Sequence, residues 1–200
     1  EALRELDALK AHLPTDNPLW PEALYWEGEI SRRASQVRRA TLAFERLLEH
    51  SPDSAWALQA RMGLGLVAVS QEDFQAALKQ FRDLAQTDPE SSIAIEARLW
   101  EGLCHVRLGA FEEAVAVFQA LQQGKLREPD HVAQAAFYLG EALSGLHRYD
   151  QAIEAYRRAL KARPSSEWGR LAAFGIGWAQ FQVGQCEESV RMLRDFLIEP

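Results

Sequence analysis

Histidine and cysteine, the residue types that most often bind metals or act as catalysts, are scattered through this chain of 200 residues. Cys104 and His105 are neighbours, and neighbouring side chains on a helix point about 100° apart, so the two do not face one metal ion. The other histidines have no partner at helical ligand spacing: they are His12, His50, His131 and His147. We therefore predict no metal site and interpret His105 as a residue packed between helices.

Two glycine pairs resemble the start of a dinucleotide-binding fingerprint. Gly63 and Gly65 form one pair, and Gly175 and Gly177 form the other. Neither pair follows a predicted strand or has the third glycine, so close helix packing explains them better. The sequence also contains no nucleophile elbow, phosphate loop or paired histidine and carboxylate motif. We predict no cofactor and no enzymatic activity.

Charge and hydropathy exclude two further classes of partner. The net charge is −7 and the sequence pI is about 5.3, whereas nucleic-acid binding depends on an excess of Lys and Arg. No stretch approaches the roughly 20 apolar residues that span a bilayer. Because the sequence starts at Glu1, we interpret it as a piece of a longer protein, and the two cysteines leave its redox compartment open.

A regular spacing of small and large residues organises the whole chain. Glycines recur at intervals of 37, 37, 38 and 37 residues, at Gly28, Gly65, Gly102, Gly140 and Gly177. Twelve residues after each glycine stands a small residue: Ala40, Ala77, Ala114, Ala152 and Ser189. Four residues further on stands a larger one: Phe44, Phe81, Phe118, Tyr156 and Leu193. Small residues let two helices approach closely, and apolar spacings of three and four without strand alternation predict an all-α repeat protein.

This pattern resembles the tetratricopeptide repeat, whose small, small, aromatic and proline positions match Gly140, Ala152, Tyr156 and Pro164. The resemblance implies an α-α solenoid, a right-handed superhelix of about five helix-turn-helix units plus a truncated N-terminal half-repeat. The half-repeat is residues 1–14, and the units are 21–52, 54–89, 91–129, 130–164 and 165–200. One departure is that Glu27 and Glu101 stand where the family has a leucine before the glycine.

Short strings suggest a narrower resemblance within bacteria. The strings LYWEGE, at 24–29, and FYLGEA, at 137–142, are similar to Tol-Pal-associated coordinators and outer-membrane-assembly lipoproteins. That resemblance implies a periplasmic or outer-membrane-associated location in a Gram-negative bacterium, with the cytoplasm as the alternative.

The same family resemblance implies a binding surface. First helices of stacked units line a concave face, and the positions implied to be exposed there are Tyr25, Glu29, Met62, Leu66, Leu99, Leu103, Val106, Phe137, Glu141, Phe174, Trp178 and Phe181. Several are apolar and share one helix face, which favours a groove for a protein segment. In the alternative, neighbouring first helices cover much of this stripe, and further structure covers Trp178 and Phe181.

A run of arginines forms a second candidate patch. It comprises Arg32, Arg33, Arg38 and Arg39. Such a run is usually a solvated face, and the functional alternative is that it docks an acidic segment.

These observations give one leading functional hypothesis, a non-enzymatic scaffold that binds a protein segment in an apolar concave groove, in a bacterial envelope assembly. Two alternatives stay open. The array is a spacer or self-associating solenoid that uses its ends or convex face, or it regulates an enzyme encoded elsewhere in a longer chain.

Overall fold

A computed structural model describes residues 2–124 and 126–198, with side chains as far as 194. Within these residues all regular structure is helical, which confirms the all-α prediction. Residues 1, 125, 199 and 200 of the predicted units lie outside the described residues. The helices are Ala2–Ala11 (α1), Trp20–Arg33 (α2), Val37–His50 (α3), Ala57–Ser70 (α4), Phe74–Thr87 (α5), Ser92–Arg107 (α6), Phe111–Gln123 (α7), Pro129–Gly145 (α8), Tyr149–Ala162 (α9), Glu167–Gln182 (α10) and Cys186–Ile198 (α11).

The chain divides into two compact units, residues 1–97 and 98–200. In the first unit α2 packs on α3, α4 packs on α5, and α2 also contacts α4. In the second unit α8 packs on α9, α10 packs on α11, and α8 also contacts α10. Connections of three residues join the two helices of each pair, so the paired helices run antiparallel.

Each short connection turns through one residue in the left-handed region. The five residues are Ser35, Glu72, Gly109, His147 and Gly184, with φ of 58°, 59°, 71°, 59° and 80°. The next residue's N–H donates back to the last helical turn; Gln36 N, for example, donates to Ser31 O at 2.8 Å. This bond closes a Schellman-type helix end. A residue other than glycine is strained in the left-handed region, so Ser35, Glu72 and His147 each lower the stability of the fold slightly.

The repeated glycines are contact points for the large residue of the second helix. A Cβ added to Gly28 would lie 2.4 Å from the ring of Phe44, and one added to Gly63 would lie equally close to the same ring. Phe44 is therefore held between two glycines of successive helix pairs, and Tyr156 lies in the same way between Gly140 and Gly175. This packing confirms the interpretation of the glycine pairs as close helix contacts.

Glu27 joins three helices of the first unit. Its carboxylate accepts from Arg39 Nε of α3 at 2.9 Å and from Lys10 of α1. Arg39 also pairs with Asp7 of α1. Because Glu27 is buried, these cations stabilise a charge that would otherwise be costly there. The position at which the family has a leucine thus holds α1 against α2 and α3.

Candidate protein-binding surface

The structure buries a large part of the predicted concave stripe. Leu99 is 1% exposed, and four other predicted positions are also buried: Glu29, Met62, Leu103 and Phe137. The expectation that these five residues are exposed is wrong. Within each unit the first helices pack on one another, α2 on α4 and α8 on α10, and that packing is the alternative stated from the sequence.

Four other predicted positions are half-buried. They are Tyr25, Leu66, Val106 and Glu141. Tyr25 stacks on Trp56 with ring centroids 4.8 Å apart, so much of its ring packs within the first unit. Burial first, and the charge of Glu29 second, raise the pKa of Tyr25 above its usual value.

Glu141 is directed into the second unit rather than away from it. Its Oε1 accepts a hydrogen bond from the hydroxyl of Tyr156 at 2.5 Å. Burial is the main cause that raises the pKa of Tyr156, and the neighbouring Glu141 raises it further. Glu141 therefore satisfies a buried hydroxyl, and we assign it a structural contribution.

The exposed part of the predicted stripe lies on α10. Phe174 is 50% exposed, Trp178 is 50% exposed and Phe181 is 56% exposed. Leu171, one turn before Phe174, is also exposed, and the rings of Trp178 and Phe181 lie 6.2 Å apart. We call these four residues the α10 stripe. They follow one another at intervals of three, four and three residues, so they occupy one side of the helix.

The opposite side of α10 explains why residues 171–179 are all apolar. Its small residues are buried where α10 packs on α8, α9 and α11. A Cβ added to Gly177 would lie 2.6 Å from Leu193 of α11, and Ser189 Oγ donates to the carbonyl of Gly177 at 2.7 Å. The buried side of α10 therefore packs on its neighbouring helices, and the α10 stripe lies on the exposed side.

A comparison of α8 with α10 shows what covers such a stripe elsewhere. Phe137 of α8 stands three residues before its glycine, as Phe174 does in α10. Phe137 is only 8% exposed, because the ring of Trp168 of α10 lies 5.8 Å from its own. A neighbouring helix thus covers this position in α8.

Three arginines of the run pair with carboxylates of the first unit. Glu29 accepts from Arg32 Nε at 2.9 Å and from Arg33 Nε at 2.6 Å, and Arg39 pairs with Glu27 and Asp7. Burial alone would raise the pKa of Glu29, but the hydrogen bonds from the two arginines outweigh it and lower that pKa. Three of the four arginines are therefore paired, but Glu29 gives one negative charge to two of them, and Arg33 and Arg38 are exposed, so an acidic-segment site at this run stays a prediction.

Cys104 and His105 are buried in the second unit. Desolvation, with a smaller contribution from Glu101, raises the pKa of the Cys104 thiol to about 12, so the thiol stays protonated and unreactive at neutral pH. Burial confirms the interpretation of His105 as a packing residue. Over residues 2–124 and 126–198 no group of three or more His, Cys, Asp or Glu side chains could hold a metal ion.

No helix in the described part of the chain is long and apolar enough to cross a bilayer.

Comparisons with known proteins agree on the repeat. Two family models, both described as tetratricopeptide repeat, match residues 32–92 and 95–165. No curated protein matches the chain significantly in sequence. The narrower resemblance to envelope coordinators receives no support from these comparisons.

Solved structures of MamA have a similar fold. One, "MamA 41-end from Desulfovibrio magneticus RS-1", has a TM-score of 0.75 at 15% identity, covering 88% of this chain and 93% of that chain. Another, "Crystal structure of MamA protein", has a TM-score of 0.73 at 20% identity, covering 88% and 90%. A third, "Crystal structure of MamA", has a TM-score of 0.71 at 21% identity, covering 85% and 92%. At these identities the likeness shows a shared solenoid fold.

Proposed function

The chain is built from tetratricopeptide repeats, and we propose that it is a non-enzymatic scaffold that binds an amphipathic helix of a partner protein on the α10 stripe. The observation that carries the proposal is the α10 stripe itself. It places four large apolar side chains, three of them aromatic, along one exposed helix face.

Large exposed apolar patches on soluble proteins usually mark interaction sites. Tryptophan and other aromatic residues give much of the binding energy of an interface, because a rigid ring buries a large area at a small entropic cost. The stripe offers Trp178 beside Phe181, which suits the centre of such an interface.

The repeat itself suggests the kind of segment that binds. On α8 the corresponding face is covered by a helix, α10, which inserts Trp168 against Phe137 and Tyr138. A partner helix with an aromatic residue in its first turn would extend the same packing by one step. The carbonyls and amides of a helix are satisfied internally, so this occupant needs no hydrogen-bond acceptors or donors from the apolar stripe.

The test is capture of partners from the cells that encode the chain, by photo-crosslinking of the tagged protein. We expect Trp178→Glu to abolish the crosslinked products, since a carboxylate would be desolvated in the interface. The matched control is Trp26→Glu, which changes a tryptophan on α2 of the first unit that is 43% exposed, against 50% for Trp178. Circular dichroism of both variants checks that helical content is retained.

The outcomes separate the possible occupants. Crosslinks to another protein that are lost in Trp178→Glu and kept in Trp26→Glu support the proposal. Crosslinks only between two copies of this chain, with a concentration-dependent mass in light scattering, would favour self-association instead. Products unchanged by Trp178→Glu would contradict a role for the α10 stripe.

A location in the bacterial envelope remains a second proposal, supported only by the strings at 24–29 and 137–142. Fractionation of the cells that encode the full-length protein tests it. Recovery with the periplasm or the outer membrane supports the proposal, and recovery in the cytoplasm contradicts it.

A further inference from the structure

A groove in the second unit runs between the second helices α7 and α9, with α8 as its floor. It contains two adjoining cavities of about 470 Å³ and 440 Å³, and Arg158 lines both. Cavities of this size are in the range that accommodates ligands or peptide side chains. We call it the α7–α9 groove; it shares no residue with the α10 stripe.

The first cavity combines an apolar lining with donors. Arg158 Nη1 donates to Gln122 Oε1 at 2.9 Å, and a guanidinium only donates, so the amide oxygen of Gln122 faces Arg158. The amide nitrogen of Gln122 is buried and has no hydrogen-bond partner among the described residues. Lys161 lines the same cavity. The polar lining thus supplies donors and positive charge without an acceptor of its own for the Gln122 amide nitrogen.

The second cavity continues the groove along α9 from Arg158 to two carboxylates. Asp150 and Glu154 line it, over a floor that includes Leu139 and Leu143. Glu154 already accepts from Arg157 at 2.6 Å, so Asp150 is the main source of negative charge there. The groove therefore has Lys161 near one end, Asp150 near the other, Arg158 between them and apolar residues beneath.

The length of the groove fits a short extended segment. Asp150 and Lys161 are eleven residues apart on α9, which corresponds to about 16 Å along a helix axis. An extended chain covers that distance in about five residues. The spacing thus determines how far apart the charges of a complementary ligand would be.

We propose that the α7–α9 groove is a second docking site, and that it binds an extended segment of a partner protein with a Lys or Arg and an Asp or Glu about five residues apart. The ligand carboxylate lies against Arg158 and Lys161, where charge-assisted hydrogen bonds hold it. The ligand cation lies against Asp150, and an apolar side chain between them contacts the floor of the groove.

The experiment uses a fluorescent peptide capped at both ends, Lys-Val-Ser-Leu-Ala-Glu, and a neutral peptide with Gln at both charged positions. Fluorescence anisotropy on the full 200-residue chain should show binding of the charged peptide about tenfold tighter than binding of the neutral one. In the double variant Arg158→Glu with Lys161→Glu, that preference should disappear. The variant should instead prefer a peptide with Lys at both ends.

Controls make a failure interpretable. Lys79→Glu with Arg46→Glu changes the net charge by the same amount, at exposed positions of the first unit, and should leave the preference for the charged peptide intact. Trp178→Glu should also leave it intact, since the α10 stripe is a different surface. Equal binding of charged and neutral peptides, no binding of either, or loss of the preference in Trp178→Glu or in the first-unit control would overturn the proposal. These outcomes leave the proposal for the α10 stripe unaffected.

Discussion

Helices α2 and α10 are first helices at equivalent places in their repeats, and they present opposite chemistry. Each carries its glycine against a large residue of the following helix, Gly28 against Phe44 and Gly177 against Leu193. Their outward positions differ: the corresponding pairs are Tyr25 and Phe174, Glu29 and Trp178, and Arg32 and Phe181. On α2 these residues pair with one another or pack within the unit, whereas on α10 they are exposed.

The difference shows that the repeat separates two tasks. The inward positions are nearly the same in both helices, because the approach of two helices demands a small residue and a large one. The outward positions have no such constraint. On α2 the glutamate at this position is buried and pairs with arginines, whereas on α10 aromatic residues are exposed.

The largest expected effect comes from replacing the glycine that each of the two helices places against a large residue of the following helix. Gly28→Val should cost about 3 kcal/mol of the free energy of unfolding, because Phe44 is rigid and already lies against Gly63 as well. Gly177→Val should cost about 1 kcal/mol, because Leu193 is flexible and can rotate away. Urea denaturation followed by circular dichroism measures both.

A matched control for this pair is Ala76→Val on the exposed side of α5. It places the same β-branched side chain at an exposed helix position, so the free energy of unfolding should fall by only a few tenths of a kcal/mol. Equal losses at Gly28 and Gly177 would contradict the account of the two contacts.

A smaller effect should follow from opening the ion-pair cluster on α2. Glu29→Gln should cost about 1 kcal/mol near pH 7, since the partly buried carboxylate accepts from two arginines. The pKa of Glu29 is lowered in the folded protein, so this stabilisation is present above the unfolded pKa of about 4.3 and is lost as pH falls through the folded pKa. Urea denaturation at several pH values should show the difference from the unsubstituted protein shrink between pH 6 and pH 3.

Glu45→Gln is the control for that measurement, because Glu45 is exposed on α3. Its effect should stay within a few tenths of a kcal/mol at any pH. A pH-independent loss in Glu29→Gln would show that the carboxylate charge does not contribute.

The smallest effect concerns the turns that end the two helices. Ser35 after α2 and Gly184 after α10 both have positive φ. Ser35→Gly should therefore raise the free energy of unfolding by about 0.5 kcal/mol, and Gly184→Ala should lower it by about 1 kcal/mol. Thermal unfolding of the two variants checks the opposite signs, and a loss in Ser35→Gly would refute the strain at that turn.

The positions that pack between helices could be predicted from the sequence, whereas the exposure of the residues in the predicted stripe could not. The Gly28–Phe44 contact could be predicted because both partners belong to one repeated pattern. The burial of Phe137 could not, since it depends on how closely α10 packs on α8. Leu171 was missed because it stands six residues before its glycine, outside the positions that the family resemblance marks as exposed.

Charges and turns show the same limit. Glu27 departs from the family pattern of a leucine before the glycine, and the ion pairs with Lys10 and Arg39 that stabilise it there could not be predicted from the sequence. The left-handed turn positions carry serine, glutamate, histidine and glycine, so the residue type gave no consistent signal. The α7–α9 groove was also missed, because its residues lie on three helices and no local spacing connects them.

The ring of Phe44 between Gly28 and Gly63 has a consequence for how such a chain can evolve. Phe44 and Tyr156 each contact two successive helix pairs, so a duplication or deletion preserves this packing only if it copies or removes a whole period. A duplication that ended between a ring and its second glycine would leave one side of that ring against a bulkier residue. The near-constant interval of 37 residues between glycines agrees with that requirement.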